Sequence, residues 1–335
     1  MKDFHVDFDQ LEAVDDVEAL DQSWAAVSCH LGIFHDPVKA PDGDDPEPGY
    51  PSPTLQAVLA QHSPDITVTV VSLADILAGC LSDSEKCYTA LCVPGGFAPN
   101  YSSRLGARGI AIIRDFVSRG GGFVGICAGA YLGSSACLGL LPVECLDMHR
   151  WNRGAGPCQL RYTHTGSRAL GAPAPAAAPS PPRDDCEAPD DFTSGARLAS
   201  TDTVTVRYAN GPLMRIDGLG AAASYANFAT EFRGAGHAGS REGSRLEGSP
   251  AVVVGRSGTT GGVVALCSPH LEDGTDDVRT LLPFANLMRL TCRGSFYQQW
   301  VLQQSPGLGL EPCVTQWEPP WRSPGSQPAT EIRWL

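Results

Sequence analysis

The chain has 335 residues, of which 42% are hydrophobic and 18% charged, a composition typical of a globular protein with a sizeable core. Its formal net charge of -13, without a cluster of Lys and Arg, argues against nucleic acids and anionic membranes as partners. The twelve cysteines contain neither a Cys-x-x-Cys pair nor a zinc spacing. We therefore expect a soluble, cytoplasmic protein in a reducing compartment, with no metal and no cofactor.

The first 22 residues form an acidic lead, which carries eight acids and one lysine. This composition does not fit an ordinary secretory or organellar leader. No apolar run approaches the roughly 20 residues that a membrane span needs. We expect a single α/β domain over residues 23–295, followed by a C-terminal tail over 296–335 that the sequence does not assign.

Strands and helices alternate in the first half of the chain. β-branched and apolar runs predict strands at 24–34, 66–72, 88–93 and 123–126, and apolar periodicity predicts helices at 54–61, 73–81, 103–118 and 128–136. This alternation predicts an open, mostly parallel, flavodoxin-like sheet with helices on both faces.

The second half is different in composition. Strands are expected at 203–208, 251–255 and 262–267, and a final helix at 276–290, which adds extra β-strands to the predicted sheet. Residues 37–53 read as a Pro/Asp/Gly loop. Two further segments, 171–190 and 234–249, have too little apolar bulk to pack, and we expect both to be disordered loops.

One cysteine lies in a run of small residues directly after a predicted strand, in the stretch GGGFVGICAGAYLG. Gly125 and Gly129 stand two residues to either side of Cys127, which gives the G-x-nucleophile-x-G pattern of a nucleophile elbow. At the start of a helix, unpaired N–H groups favour the thiolate, and the N–H of Ala128 can stabilise an oxyanion. Tight strand-to-helix packing around a buried cysteine is the alternative explanation.

A pair of glycines follows the strand predicted at 88–93. The backbone N–H groups of Gly95 and Gly96 can approach a substrate oxygen closely, because glycine has no side chain in the way. Ligands bind at the carboxyl ends of strands in an open parallel sheet, which is where this loop and Cys127 would both lie. Pro-Gly-Gly is also a common turn, and that reading stays open.

A histidine and a carboxylate follow the last predicted strand, in Cys-Ser-Pro-His-Leu-Glu. Two residues apart in an extended segment, the side chains of His270 and Glu272 project to the same side. Glu272 can therefore orient the His270 ring while that ring serves Cys127 as a base.

Four more side chains are weaker candidates for substrate contacts. Tyr131 lies four residues after Cys127, on the same helix face as the predicted nucleophile. Asn210, in Tyr-Ala-Asn-Gly-Pro, could present its amide to a ligand, although Asn-Gly-Pro is first of all a turn. Trp151 and Arg153 could line the cleft, or could serve packing and surface charge.

The motifs together resemble a known family. VPGGF, FVSRGGGFVGICAGAYLGSS, RWNRGAG, VRYANGP and VVALCSPHLE occur in that order, and this order resembles the N-terminal domain family of biotin-protein ligases, which is similar to class I glutamine amidotransferases. The resemblance implies an amidotransferase-like fold with a triad of Cys127, His270 and Glu272. It also implies an oxyanion hole lined by Gly96 and Ala128, with Gly95, Tyr131 and Asn210 near the substrate.

The chain departs from the family pattern at several points. Glutamine-hydrolysing members usually carry Gln four residues after the cysteine, where this chain has Tyr131, so glutaminase activity is not expected. His-Pro-Glu of the family is here His270-Leu-Glu272. No ligase catalytic half is recognisable, so we expect a stand-alone domain without biotin ligation.

Three functions remain open from the sequence. The first is a cysteine hydrolase or amidotransferase that acts on a small amide or ester. The second is a catalytically degenerate domain that binds a small ligand or a protein partner, and the third is a redox or carbonyl sensor built on an exposed cysteine. A small-molecule substrate or ligand is expected in the first two cases, and no protein partner can be named.

Overall fold

A computed structural model describes residues 29–35, 52–83, 88–146, 148, 153–173, 203–218, 221–231, 245–258, 261–273 and 278–304. The predictions for the acidic lead at 1–22, for Trp151 and for the tail beyond residue 304 lie outside the described residues. So do most of the loop predicted at 37–53 and most of the segment at 171–190.

The described part of the chain holds eleven strands and six α-helices. The strands are β1 (Cys29–Phe34), β2 (Ile66–Val71), β3 (Ala90–Val93), β4 (Gly122–Ile126), β5 (Val143–Leu146), β6 (Ala155–Tyr162), β7 (Thr203–Ala209), β8 (Leu213–Ile216), β9 (Ala222–Phe228), β10 (Pro250–Arg256) and β11 (Val263–Cys267). The helices are α1 (Ser52–His62), α2 (Leu73–Leu77), α3 (Ala98–Ser118), α4 (Ala128–Gly133), α5 (His164–Leu170) and α6 (Val278–Gln304).

Nine strands form one sheet in the order β2-β1-β3-β4-β11-β10-β9-β6-β7. The first five strands of this order are parallel to their neighbours, and the remaining pairs are antiparallel. The predicted α/β fold with a parallel core and extra strands from the second half is thus confirmed. A separate antiparallel ribbon of β5 and β8 lies outside the sheet.

Helices cover both faces of the sheet, as predicted. Apolar side chains of α1, α5 and α6 pack on one face, among them Leu59, Leu170 and Phe284. Those of α2, α3 and α4 pack on the other, among them Ile76 and Leu132. The central parallel strands β3, β4 and β11 contain only buried residues, which is the environment that their continuous apolar sequences predict. The edge strand β2 is buried only at its two ends.

Three predicted helices have different ends in the structure. The helix expected at 73–81 stops at Leu77, because Gly79 takes a left-handed conformation (φ 91°), and a 3-10 turn follows. The helix expected at 128–136 ends at Gly133, where Ser134 becomes extended. The final helix, expected to end at 290, continues to Gln304 and so extends into the predicted tail.

The sequence did not predict β5, β6, β8, β9 or α5. Pro157 inside β6 argues against a strand, but at that position β6 pairs with β7 alone, so no second neighbour needs the missing N–H donor. The alanine-rich sequence of β9 has low strand propensity, and its pairing with β10 and β6 overrides that preference.

The structure describes only the ends of the two expected disordered loops, residues 171–173 and 245–249, and the rest of each loop lies outside the described residues. Ser167 donates its hydroxyl to the Pro173 carbonyl oxygen over 2.6 Å, so the start of the 171–190 segment is held against α5. Leu246, at the end of the 234–249 segment, is buried in the core. None of the helices in the described residues is both long and apolar enough to cross a membrane.

Candidate functional site

The candidate site lies at the carboxyl ends of β3, β4 and β11, which are adjacent parallel strands. Pro94-Gly-Gly96 follows β3, Cys127 follows β4, and Ser268-Pro-His270 follows β11. The backbone N–H of Cys127 donates to the Cys267 carbonyl oxygen over 2.8 Å, which fixes the end of β4 against β11. The topology therefore brings together the three motifs that the sequence placed at strand ends.

Cys127 occupies a strained turn between β4 and α4. Its backbone has φ 51° and ψ -103°, a conformation that residues with side chains rarely adopt. A Cβ atom on Gly129 would lie 1.9 Å from the Val93 carbonyl oxygen, and one on Gly125 would lie 2.3 Å from the Gly129 oxygen. Both glycines are therefore needed for close packing, and the turn has the conformation expected of a nucleophile elbow.

His270 and Glu272 form a buried pair beside this turn. The His270 Nδ1 and Glu272 Oε1 atoms are 2.8 Å apart, and the two residues are 4% and 1% exposed. Burial by itself lowers the pKa of His270, but the Glu272 carboxylate and the contact with Cys127 outweigh it and raise that pKa to about 10. Among the described residues, the second Glu272 oxygen has no hydrogen-bond partner. His270 is therefore the group that compensates for the burial of this carboxylate.

The Cys127 sulfur lies between the Ala209 carbonyl oxygen and the His270 ring. The sulfur is 3.2 Å from the Ala209 carbonyl oxygen, to which the thiol donates. It also forms a side-chain hydrogen bond with His270, and because Nδ1 faces Glu272, the nitrogen that remains for the sulfur is Nε2. Cys127 is 6% exposed, so it is not the exposed cysteine that a sensing role would require.

The loop that carries His270 is tied to β7 and β10. The His270 backbone N–H donates to the Arg207 carbonyl oxygen over 2.8 Å, and the Ser268 N–H donates to the Ala251 oxygen over 2.8 Å. Arg207 Nη1 and Asp273 Oδ2 are 2.6 Å apart. These contacts fix the imidazole on the side of the sheet where Cys127 lies.

The glycine loop after β3 is shaped by Tyr101. The Tyr101 hydroxyl donates to the Gly95 carbonyl oxygen over 2.8 Å. Gly96 has φ 153°, and a Cβ atom there would lie 2.5 Å from the Tyr101 hydroxyl oxygen, so a larger residue would displace this contact. The contact with Tyr101 therefore fixes the conformation of the Pro94-Gly-Gly96 loop.

The side chain of Tyr131 contacts the backbone of Asn210, and both residues are candidates for substrate contacts. The Tyr131 hydroxyl is 3.5 Å from the Asn210 carbonyl oxygen. Asn210 takes the left-handed turn conformation (φ 54°) that its Asn-Gly-Pro context predicts. Its Oδ1 atom accepts the Gly154 N–H over 2.6 Å, which leaves the amide nitrogen as the group that it can present to a ligand.

Sequence reasoning missed Tyr208 and Ala209 and underrated Arg153. The Arg153 guanidinium hydrogen-bonds the Tyr131 and Tyr208 hydroxyls, and its Nη2 donates to the Leu146 carbonyl oxygen over 3.2 Å. The signal was present in the motifs, since Tyr208 and Ala209 directly precede Asn210. The pairing of β6 with β7 brings Ala155 and Gly156 of the first motif beside Ala209 and Tyr208 of the second.

In the described residues, no group of three or more possible metal ligands occurs. Other described cysteines lie in apolar surroundings. Burial raises the pKa of both Cys137 and Cys145 to about 12, and raises that of Cys267 further. The nine cysteines that the structure describes are all free thiols.

Among solved structures, the chain is similar to an exo-β-1,4-mannosidase from Opitutaceae bacterium strain TAV5, with 14% identity and a TM-score of 0.37. That match covers 86% of this chain and spans only 36% of the mannosidase. The chain is also similar to a protein from Bacteroides uniformis described as thua-like, with 9% identity, a TM-score of 0.42 and coverage of 78% and 91%. No curated protein sequence matches the chain.

A family comparison gives a more specific result. Residues 54–139 match the family described as "Biotin-protein ligase, N terminal". The match runs from α1 to just beyond α4, so it contains the glycine loop and the Cys127 turn, whereas His270 and Glu272 lie outside it. Over residues 54–139 the chain is therefore similar to this family, which is the resemblance that the order of its motifs predicts.

Proposed function

We propose that the protein is a cysteine hydrolase or amidotransferase-like enzyme that acts on a small amide or ester through an acyl intermediate on Cys127. The observation that carries the proposal is the chain of contacts from Cys127 to His270 to Glu272 at the end of three parallel strands. A nucleophile, a base within hydrogen-bond reach and a group that orients the base are the components that such catalysis needs.

Acylation would begin from the form in which the thiol proton of Cys127 already resides on His270 Nε2, in agreement with the raised pKa of this imidazole, while Glu272 holds the opposite ring nitrogen. The sulfur then attacks the carbonyl carbon of the substrate, and the N–H groups of Ala128 and Gly96 receive the negative oxygen. The first N–H groups of a helix have no partner within it, so that of Ala128 is free of the α4 ladder. Collapse of the intermediate expels the amine or alcohol, which takes the proton from His270.

Deacylation would use the same groups in reverse order. His270, now neutral, removes a proton from water, the hydroxide attacks the thioester carbon, and the Cys127 sulfur leaves and regains a proton. The carboxylic acid is then released. A small, soluble substrate in a reducing cytoplasm fits this chemistry, because only a reduced thiol can act.

A binding domain without turnover is the second candidate, and one contact favours it. In the resting arrangement the thiol donates to the Ala209 carbonyl oxygen, and a hydrogen bond of this kind stabilises the neutral thiol. The enzyme reading requires that the sulfur lose this proton before it attacks a substrate. The binding reading requires that the proton stay on the sulfur.

Acetylation by p-nitrophenyl acetate separates the two candidates. An enzyme should release p-nitrophenol in a burst and carry one acetyl group on the Cys127 peptide in mass spectra of the quenched reaction. Cys127→Ala should abolish the burst, whereas Cys29→Ser, which replaces a buried cysteine at the opposite end of the sheet, should retain it. Acetylation at other residues, with none at Cys127, would leave only the binding reading.

Free glutamine is not expected to be a substrate. Tyr131 fills the position where an amide side chain would be needed, and a buried polar group of the substrate left unpaired costs about 1–3 kcal/mol. An ammonia-release assay with glutamine should therefore show no turnover above that of Cys127→Ala. Robust glutaminase activity dependent on Cys127 would contradict this expectation.

A further inference from the structure

One stretch of β7 contacts both the candidate nucleophile and the loop of the candidate base. The Ala209 carbonyl oxygen accepts the Cys127 thiol over 3.2 Å. Two residues earlier, the Arg207 carbonyl oxygen accepts the His270 backbone N–H over 2.8 Å, in an antiparallel bridge. β7 is the last strand in the order of the nine-stranded sheet, so an edge strand lies against both reacting groups.

The side chain of Arg207 attaches the same loop at a second point. Its Nη1 atom donates to Asp273 Oδ2 over 2.6 Å, and Asp273 is the third residue after His270. The backbone and the side chain of Arg207 therefore hold the two ends of the segment from His270 to Asp273. A segment attached at both ends has fewer conformations than one attached at a single end.

The carboxylate that pairs with Arg207 is much less exposed than the guanidinium. The Asp273 side chain is 17% exposed and the Arg207 side chain 54%. A mostly buried carboxylate that loses its cation is poorly solvated, which favours conformations that expose it to water. Asp273 directly follows Glu272, whose carboxylate is hydrogen-bonded to the His270 ring. Such a conformation would therefore also disturb the buried pair.

We propose that Arg207 is a positioning residue, whose ion pair with Asp273 holds His270 within hydrogen-bond reach of the Cys127 sulfur. As far as turnover is concerned, the inference rests on the proposed function, in which His270 is the base. Arg207 acts through the loop and is not a catalytic residue. Because an exposed ion pair contributes little to overall stability, its loss should affect reactivity at Cys127 more than folding.

The rate of Cys127 acetylation by p-nitrophenyl acetate reports on the position of the base. In Arg207→Met the rate constant at saturating ester should fall about tenfold, because a small misplacement of a reacting group is costly, whereas the half-saturating ester concentration should not change. Arg207→Lys keeps a cation for Asp273 and should recover most of the rate. Arg215→Met is the matched control and should keep the wild-type rate, because Arg215 on β8 is 58% exposed and also pairs with a carboxylate.

Hydrogen–deuterium exchange of the peptide that contains residues 268–273 tests the loop without turnover. Arg207→Met should raise the exchange rate of its amides at least about threefold, because a looser loop opens the hydrogen bond of the His270 N–H more often. Arg207→Lys and Arg215→Met should leave the exchange near the wild-type rate. Unchanged exchange in Arg207→Met would overturn the inference, and so would faster exchange together with a wild-type acetylation rate.

A wild-type protein that is not acetylated at Cys127 would overturn the proposed function, and alkylation would then decide the role of Arg207. Iodoacetamide reacts with the thiolate, and the His270 imidazole takes up the proton that the thiol loses. The alkylation rate constant at Cys127 in Arg207→Met should therefore fall towards that of His270→Ala. Equal rate constants in Arg207→Met and the wild-type protein would overturn the inference. If Arg207→Met does not fold, Asp273→Asn, which removes the same ion pair, takes its place in each comparison.

Discussion

Two thiols with polar neighbours lie at opposite ends of the parallel sheet. Cys127 follows the carboxyl end of β4, whereas Cys29 begins β1 at the amino end. A hydrogen bond with Cys292, together with Arg293, lowers the pKa of Cys29 to about 7 against the effect of burial. Cys127 has instead a strained backbone, the His270–Glu272 pair and a surface that is 6% exposed, while Cys29 is fully buried.

The comparison shows that ease of ionisation alone does not mark a nucleophile. Cys29 has a favourable charge environment, but it is fully buried and forms a hydrogen bond with another thiol, that of Cys292. Cys127 has beside it an imidazole that is hydrogen-bonded to a carboxylate. The account therefore makes Cys127 a functional thiol and Cys29 a structural one, and the following changes should affect the two differently.

The largest effect is expected for His270→Ala. Removal of the base should slow acetylation of Cys127 by p-nitrophenyl acetate by about 10²–10⁴-fold, the usual contribution of a positioned base. Quenched-flow mass spectrometry of the Cys127 peptide measures this rate. Arg293→Met, which removes the cation beside Cys29, should leave the rate of Cys127 acetylation within about twofold of the wild-type rate. A His270→Ala protein that is acetylated at the wild-type rate would show that the imidazole does not serve Cys127.

Gly129→Ala should be the next most damaging change. The added methyl group would lie 1.9 Å from the Val93 carbonyl oxygen, a backbone atom that cannot move without disturbing β3. We expect a loss of about 2–4 kcal/mol in the free energy of unfolding, measured by urea denaturation. Gly218→Ala gives the matched control, because that glycine has φ 90° but no atom within 4 Å of the added methyl group, so it should cost only about 1–2 kcal/mol of strain.

The elbow and its glycines could be predicted from the sequence because the information is local. Gly-x-Cys-x-Gly after a buried strand leaves few alternatives for the turn, and the same holds for Asn210-Gly-Pro. His270 and Glu272 were found for a related reason, since their spacing and their place after a strand fix a common side. Tyr208, Ala209 and Arg153 could not be predicted in their roles, because their approach to Cys127 depends on the β6–β7 pairing and on a strand that contains Pro157.

The pH dependence of stability gives a smaller effect with a definite sign. The pKa of His270 is raised to about 10 in the folded protein, above the value of about 6.5 for an unfolded chain. Its contribution to stability is therefore complete below pH of about 6.5 and is lost as the pH rises through about 10. The difference in unfolding free energy between the wild-type protein and His270→Gln should shrink from about pH 6 to about pH 9.5 in urea titrations. A difference that grows over this range would contradict the assigned charge state.

The smallest effect is expected for deletion of residues 176–190, a Pro/Ala-rich stretch whose composition offers little apolar surface to bury. The deletion starts beyond Pro173, because that residue accepts a hydrogen bond from Ser167. The melting temperature should change by less than about 2 °C, measured by differential scanning calorimetry. A larger fall would show that the segment packs on the domain.

The central claim, that Cys127 is the reactive thiol because of its surroundings, is tested most directly by labelling the native protein with substoichiometric iodoacetamide at neutral pH. Peptide mass spectrometry then ranks all twelve cysteines by the extent of alkylation in a single sample. We predict that Cys127 is labelled first, at least about tenfold ahead of Cys29, because an imidazole contacts the Cys127 sulfur, whereas Cys29 is fully buried. Labelling of Cys29 or of any other cysteine ahead of Cys127 would contradict it.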